Sequence, residues 1–115
     1  MEDPYGLVVK FHVRPGHEQA FDDLVRETLG KIRDQEPGTL IYTCHTVHGD
    51  QQARVFYELY SSRAAFEEHE EQPHVIRFLA EREQHLDDTD VEFLILVDGK
   101  GLPGDLEPPA RRDES

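Results

Sequence analysis

The chain is short of several residue types, and each shortage excludes a class of answer. It has one cysteine, Cys44, in 115 residues, so it forms no internal disulfide and offers no multi-cysteine metal site. Tryptophan and asparagine are missing altogether. Basic side chains are scarce: 12 lysines and arginines face 25 aspartates and glutamates, a net charge of −13. A nucleic-acid backbone or an anionic membrane surface would be repelled by such a chain, so neither is expected as a partner. Long apolar runs are missing too. The longest, Phe93–Val97, falls far below the roughly 20 residues of a membrane-spanning helix. The acidic start Met1-Glu2-Asp3-Pro4-Tyr5, followed by only Leu7–Val9 as an apolar stretch, does not read as a secretory signal. The expectation is a cytoplasmic protein with one domain, since the length suits a single hydrophobic core.

What is present alternates between two periods. Residues 5–14 repeat every second residue, with Leu7, Val9, Phe11 and Val13 on one face and Val8, Lys10, His12 and Arg14 on the other, which predicts a strand. Pro15-Gly16 ends it. From His17 the apolar residues Ala20, Phe21, Leu24, Val25, Thr28 and Ile32 form a helical stripe, closed by Pro37-Gly38. Thr39–His48 and Arg54–Tyr60 are β-branched and aromatic, with a short turn through Gly49-Asp50-Gln51-Gln52 between them. Ser62 suits the N-cap of a helix over about 63–71, and Pro73 suits the first position of a further helical piece. Asp87-Asp88-Thr89-Asp90 reads as polar punctuation before a last strand, Val91–Val97. The order predicts an α+β fold, a ferredoxin-like βαββαβ unit with its second helix broken at Pro73. The domain spans 1–97, followed by a Pro/Gly-rich tail, 98–115.

The third and last strands are apolar on both faces, for example Val55, Tyr57 and Leu59 against Phe56 and Tyr60. An antiparallel sheet with one solvated face alternates instead. Helices cover only one face of this sheet, so a second copy of the chain is expected on the remaining apolar surface. The tail is either a disordered extension or an arm laying Leu102 and Leu106 across that copy.

The segment from Glu36 to Leu79 carries a family pattern. Glu36-Pro37-Gly38 leads through Leu40 to Tyr42. Then follow Phe56-Tyr57-Glu58-Leu59-Tyr60-Ser61-Ser62, Ala65-Phe66, His69, Pro73-His74 and Phe78. This resembles the antibiotic biosynthesis monooxygenase domain family, whose fold is the dimeric α+β barrel. The resemblance implies a homodimer acting on a small aromatic substrate with O2. It names no single reaction, because the family includes quinol and anthrone oxygenases, haem-degrading enzymes and an isomerase. Members that degrade haem use an asparagine-tryptophan-histidine set, and this chain has neither of the first two; Tyr60 stands where a tryptophan is common. Haem degradation is therefore not expected.

Within that frame, His74 is the first candidate for chemistry. It lies in the first turn of a helix, where the positive helix end favours a neutral imidazole able to accept a proton. The alternative is a histidine that only bonds nearby backbone. Glu58 shares a strand face with Phe56 and Tyr60. A carboxylate among aromatics is costly unless paired, so it either forms an ion pair with Arg54, Arg77 or Arg14, or orients a histidine or a substrate hydroxyl. Tyr42, Tyr60, His69, Phe56 and Phe78 are candidate substrate-binding residues in a pocket between the sheet and the broken helix; each also suits plain core packing. No histidine spacing suggests a metal site, Cys44 reads as a packed hydrophobe, and no nucleotide or flavin motif is present. The expected function is a cofactor-independent monooxygenase acting on an electron-rich quinol, phenol or anthrone. The alternatives are a protein that binds an aromatic metabolite without redox chemistry and an isomerase or cyclase.

Overall fold

The computed structural model describes residues 3–102. Its elements run β1 (Tyr5–Val13), α1 (Glu18–Gln35), β2 (Thr39–Val47), β3 (Asp50–Tyr60), α2 (Arg63–Glu71), α3 (Pro73–Arg82), a single 3₁₀ turn (Glu83–His85) and β4 (Leu86–Ile95). The four strands form one antiparallel sheet in the order β2-β3-β1-β4. This is the ferredoxin-like α+β arrangement, with the second helix in two pieces. The break follows from local chemistry. Gln72 adopts an extended backbone, φ −68° and ψ 136°, and Pro73 opens α3 at its first position, where its missing N–H costs nothing. Upstream, the Ser62 hydroxyl caps α2 by accepting from the Ala65 N–H at 3.1 Å.

The register sorts the side chains. Val9 lies opposite Phe56, Leu7 opposite Glu58 and Tyr5 opposite Tyr60, while Tyr42 lies opposite Glu58 and Cys44 opposite Phe56. These residues share the face that the helices cover. Leu7, Val9, Phe11 and Val13 are buried there together with Phe21, Val25, Phe56, Tyr60, Phe78 and Leu86. Burying each such aliphatic or aromatic side chain stabilises the fold by roughly 1.5–3 kcal/mol.

Boundaries differ from the sequence reading at the β2–β3 turn and at both ends of the last strand, which stops at Ile95 and not at Val97. The β2–β3 turn is only His48-Gly49, with Gly49 at φ 81°, so Asp50–Gln52 belong to β3; a left-handed backbone at the second turn position is one that glycine supplies without strain. The acids 87–90 are not punctuation, because β4 begins at Leu86. Asp88 lies opposite His12 and Asp90 opposite Lys10 across the ladder, and the Asp90–Lys10 register sets opposite charges side by side in this acidic segment. Val91, Phe93 and Ile95 lie opposite Val9, Leu7 and Tyr5, on the face the helices cover, yet past the helix layer they stay exposed, Phe93 at 58% and Ile95 at 81%. Exposed apolar surface is therefore found on this face and not only on the opposite one, where the second copy was expected. Residues 98–102 carry no regular secondary structure, and Leu106 with the rest of the anticipated tail lies outside the described residues. No described helix is long and apolar enough to cross a membrane.

Candidate functional site

The corner Glu36-Pro37-Gly38 brings the site together. Glu36 ends α1 with its N–H bonded to the Ile32 carbonyl at 3.1 Å. Pro37 cannot continue the helix hydrogen bonding. Gly38 then passes close under α2: a Cβ added there would sit 2.8 Å from the Ala65 Cβ. This close approach carries the Glu36 side chain beneath α2 and α3.

There its carboxylate bridges two histidines from different helices. Nδ1 of His69 lies 2.6 Å from Oε1 and Nε2 of His74 lies 2.5 Å from Oε2, while the Thr39 hydroxyl donates to Oε1 at 2.7 Å. All three members of the bridge are buried, their side chains 4–6% exposed. Burial pushes the Glu36 pKa up, but the hydrogen bonds from His69, Thr39 and His74 outweigh it and hold the group below its ordinary value, so it is an anion. An ionised carboxylate only accepts. His69 therefore carries a proton on Nδ1, and His74 on Nε2.

A second pair lies across the sheet face. The Tyr60 hydroxyl donates to Oε1 of Glu58 at 2.5 Å. Burial raises the Glu58 pKa, and the Tyr60 hydrogen bond offsets only part of this. Tyr42 and Tyr60 are both pushed well up, mainly by burial and by the Glu58 charge, so both stay neutral phenols that can donate. The His69 ring connects the two pairs, with centroids 5.1 Å from Tyr60 and 5.6 Å from Tyr42. On the same side, the Arg82 guanidinium lies over the Phe11 ring at 4.9 Å and over Phe78 at 5.7 Å. Its Nε is buried without a hydrogen-bond partner among the described residues, and burial lowers its pKa.

The candidates from sequence thus separate into three settings. His69 and His74 meet on Glu36. Glu58 and Tyr60 pair with each other; the proposed ion pairs of Glu58 do not form, because Arg54 is bound to Asp22 at 2.8 Å, Arg77 to Glu27 at 2.9 Å and Arg14 to Asp87 at 3.3 Å. Phe56 and Phe78 lie in the aromatic core, with Phe56 edge-on to Tyr42 at 5.7 Å and 6.3 Å from Phe78. The space between sheet and broken helix is occupied by these rings. His74 instead lines a groove of about 240 Å³ between α1 and α3, with Leu24, Thr28, Pro73 and Phe78. His69 and Glu36 line a recess of about 30 Å³, room for about one water.

Two residues were missed by the sequence reading. Glu36 stood inside the quoted turn but was read only as turn chemistry; the available signal was a carboxylate beside Pro-Gly in the same pattern as two histidines. Arg82 reads as a basic residue at a helix end, and nothing in the sequence tells that it turns inward. Cys44 is half-buried and its thiol is pushed up to about 11 by burial, which leaves it protonated and unreactive near neutrality. Among the described residues no group of three or more His, Cys, Asp or Glu side chains is arranged to hold a metal ion.

Comparison with known proteins agrees with this architecture. Residues 4–81 match the family model for antibiotic biosynthesis monooxygenase. Among solved structures, PA3566 from Pseudomonas aeruginosa is 27% identical with a TM-score of 0.75, over 84% of this chain and 96% of that one. Rv0793 from Mycobacterium tuberculosis is 26% identical with a TM-score of 0.77, over 85% and 99%. A Caulobacter crescentus protein at 21% identity and a TM-score of 0.80, over 84% and 92%, shares the fold. No match was found among curated proteins.

Proposed function

Because the chain belongs to the antibiotic biosynthesis monooxygenase family, we propose that it oxidises an electron-rich quinol, phenol or anthrone with O2, without a bound cofactor. Such a ring, once deprotonated, passes an electron to O2 itself. The resulting radical pair combines to a peroxide, and loss of water leaves a carbonyl, with one oxygen atom in the product and one in water. The protein's tasks are to take a proton, hold the anionic ring and exclude water. The observation that carries this reading is the His69 ring, anchored through Nδ1 to Glu36 and set beside Tyr42 and Tyr60. Its remaining nitrogen, Nε2, is the base. A carboxylate that fixes the other ring nitrogen sets the tautomer and favours the imidazolium formed. Tyr60 and Glu58 position the substrate hydroxyls, Tyr42 donates to a ring oxygen, and Arg82 offers a cation to the developing phenolate. Phe56 and Phe78 are the apolar walls on that side of the site. His74 is a positioning residue that acts on His69 through Glu36.

The working unit is a homodimer in which a second copy covers Val91, Phe93 and Ile95, completing a dimeric α+β barrel. A non-redox reading of the same residues, as an aromatic-metabolite binding protein or an isomerase or cyclase, draws on the missing asparagine and tryptophan.

Oxygen uptake with a panel of quinols and anthrones in flavin-free, metal-free buffer tests the proposal, with spontaneous oxidation subtracted. Wild type consumes oxygen, and His69→Ala loses about 10²–10⁴-fold in rate, the usual worth of a positioned base. Thermal stabilisation by these compounds with no uptake by wild type would replace it with the binding reading.

A further inference from the structure

The Glu36 carboxylate is one negative charge shared between two imidazoles that open in different directions. Its two oxygens are taken by His69 Nδ1 at 2.6 Å and His74 Nε2 at 2.5 Å, so on each ring only the other nitrogen can gain or lose a proton. For His69 that nitrogen is Nε2, on the ring edge away from the carboxylate, in a ring bordered by Tyr42, Tyr60 and Phe66. For His74 it is Nδ1, and His74 lines the groove between α1 and α3.

We propose that His69 and His74 exchange one positive charge across Glu36, so that a proton taken up by His69 on the interior side is matched by a proton released from His74 into the groove. One carboxylate neutralises one imidazolium. Charging both rings leaves an uncompensated positive charge in a bridge whose members are nearly inaccessible to water, which is strongly unfavourable. Charging neither leaves the carboxylate as a buried anion held by neutral donors. The favoured state holds one imidazolium, and the two rings compete for it.

Neighbouring charges weigh on this balance from both sides, the positive end of α3 on His74 and the Glu58 carboxyl on His69. On the groove side, Arg77 of α3 is paired with Glu27 of α1 and with Glu81 of its own helix, at 2.9 and 3.2 Å, and Lys31 of α1 lines the same groove. On the interior side His69 borders the Tyr42 and Tyr60 phenols and is coupled in charge to the Tyr60-bound Glu58 carboxyl, as is Arg82 from the end of α3, while Glu68 and Glu70, its neighbours on α2, are exposed. Glu36 is the carboxylate in hydrogen-bond contact with both rings.

This inference rests on the reading of His69 as base for its use in turnover. The substrate O–H bond breaks and an N–H bond forms at His69 Nε2; an N–H bond breaks at His74 Nδ1 and the proton passes to water in the groove. Both hydrogen bonds to Glu36 persist, and no proton crosses the carboxylate. The buried site thereby discards its proton without opening to solvent on the substrate side.

The charge exchange is tested without substrate, by a site-resolved nitrogen NMR titration of the imidazoles in the full chain. In wild type, His69 and His74 titrate in two linked steps, each ring's signals moving in both, as interacting sites do. His74→Gln keeps an N–H donor for Glu36 but removes the competing charge; the His69 midpoint then rises by about one unit or more, a tenfold change in its proton affinity, and becomes a single step. Two independent single-step curves in wild type would overturn the proposal, as would a His69 midpoint unmoved in His74→Gln. The wild-type curves decide the matter even if a variant fails to fold. Oxygen uptake reports separately on the oxygenase reading, so failure of one is distinguishable from failure of the other.

Discussion

Glu36 and Glu58 are both buried, yet their surroundings drive them in opposite directions. Glu36 receives three donors, from His69, His74 and Thr39, and is held below its ordinary value of 4.5. Its contribution to stability is therefore present above pH 4.5 and is lost as pH falls through its lower folded value. Glu36→Gln is expected to lower Tm at neutral pH, by the equivalent of about 1–3 kcal/mol for donors left poorly matched, with the gap to wild type narrowing in acid. Glu58 receives one donor, from Tyr60, and is raised above 4.5 by burial. A raised group stabilises below its unfolded value and loses that contribution as pH rises through the folded one. Glu58→Gln keeps an acceptor for Tyr60, so its Tm should exceed that of wild type in alkaline buffer and match it near pH 4; thermal unfolding across pH reads both variants. Strand alternation made the Glu58–Tyr60 face legible, because residues two apart share a side. The bridge at Glu36 was not legible, because its partners lie 33 and 38 residues away and only the packing of α2 and α3 against the corner brings them together.

Elements are held in place by small local choices, and Gly38 is the clearest. With a Cβ 2.8 Å from Ala65, Gly38→Ala must push β2 and α2 apart, and overpacking of this kind costs about 1–3 kcal/mol. The same shift pulls His69 from Glu36, so the variant should show both a lower Tm and an altered His69 nitrogen signal. A lowered Tm with that signal intact would separate the corner's fold role from its site role. The helix break at Pro73 and the cap at Ser62 could be read from sequence because the responsible chemistry is local. The start of β4 could not, since an Asp-rich stretch has poor intrinsic strand preference and is kept in the sheet by its ladder with β1, where Asp90 lies opposite Lys10.

At the scale of the whole molecule, the fold follows from alternating periods, whereas the apolar edge of β4 points beyond a single chain. Phe93→Asp is expected to leave the fold intact, since the ring is 58% exposed, and to convert a dimer to a 13.3 kDa monomer in sedimentation. Sedimentation of wild type at the monomer mass would remove the second copy from the account. Each copy carries −13, so the dimer should also weaken at low salt, where self-repulsion is least screened. The most direct test of the central claim follows the oxygen atoms. With heavy-isotope dioxygen and a substrate that wild type turns over, the account predicts one labelled atom in the product, the other in water, and loss of enzyme-dependent labelling in His69→Ala. A labelled product formed equally well by His69→Ala, or a product with oxygen drawn only from water, would contradict it.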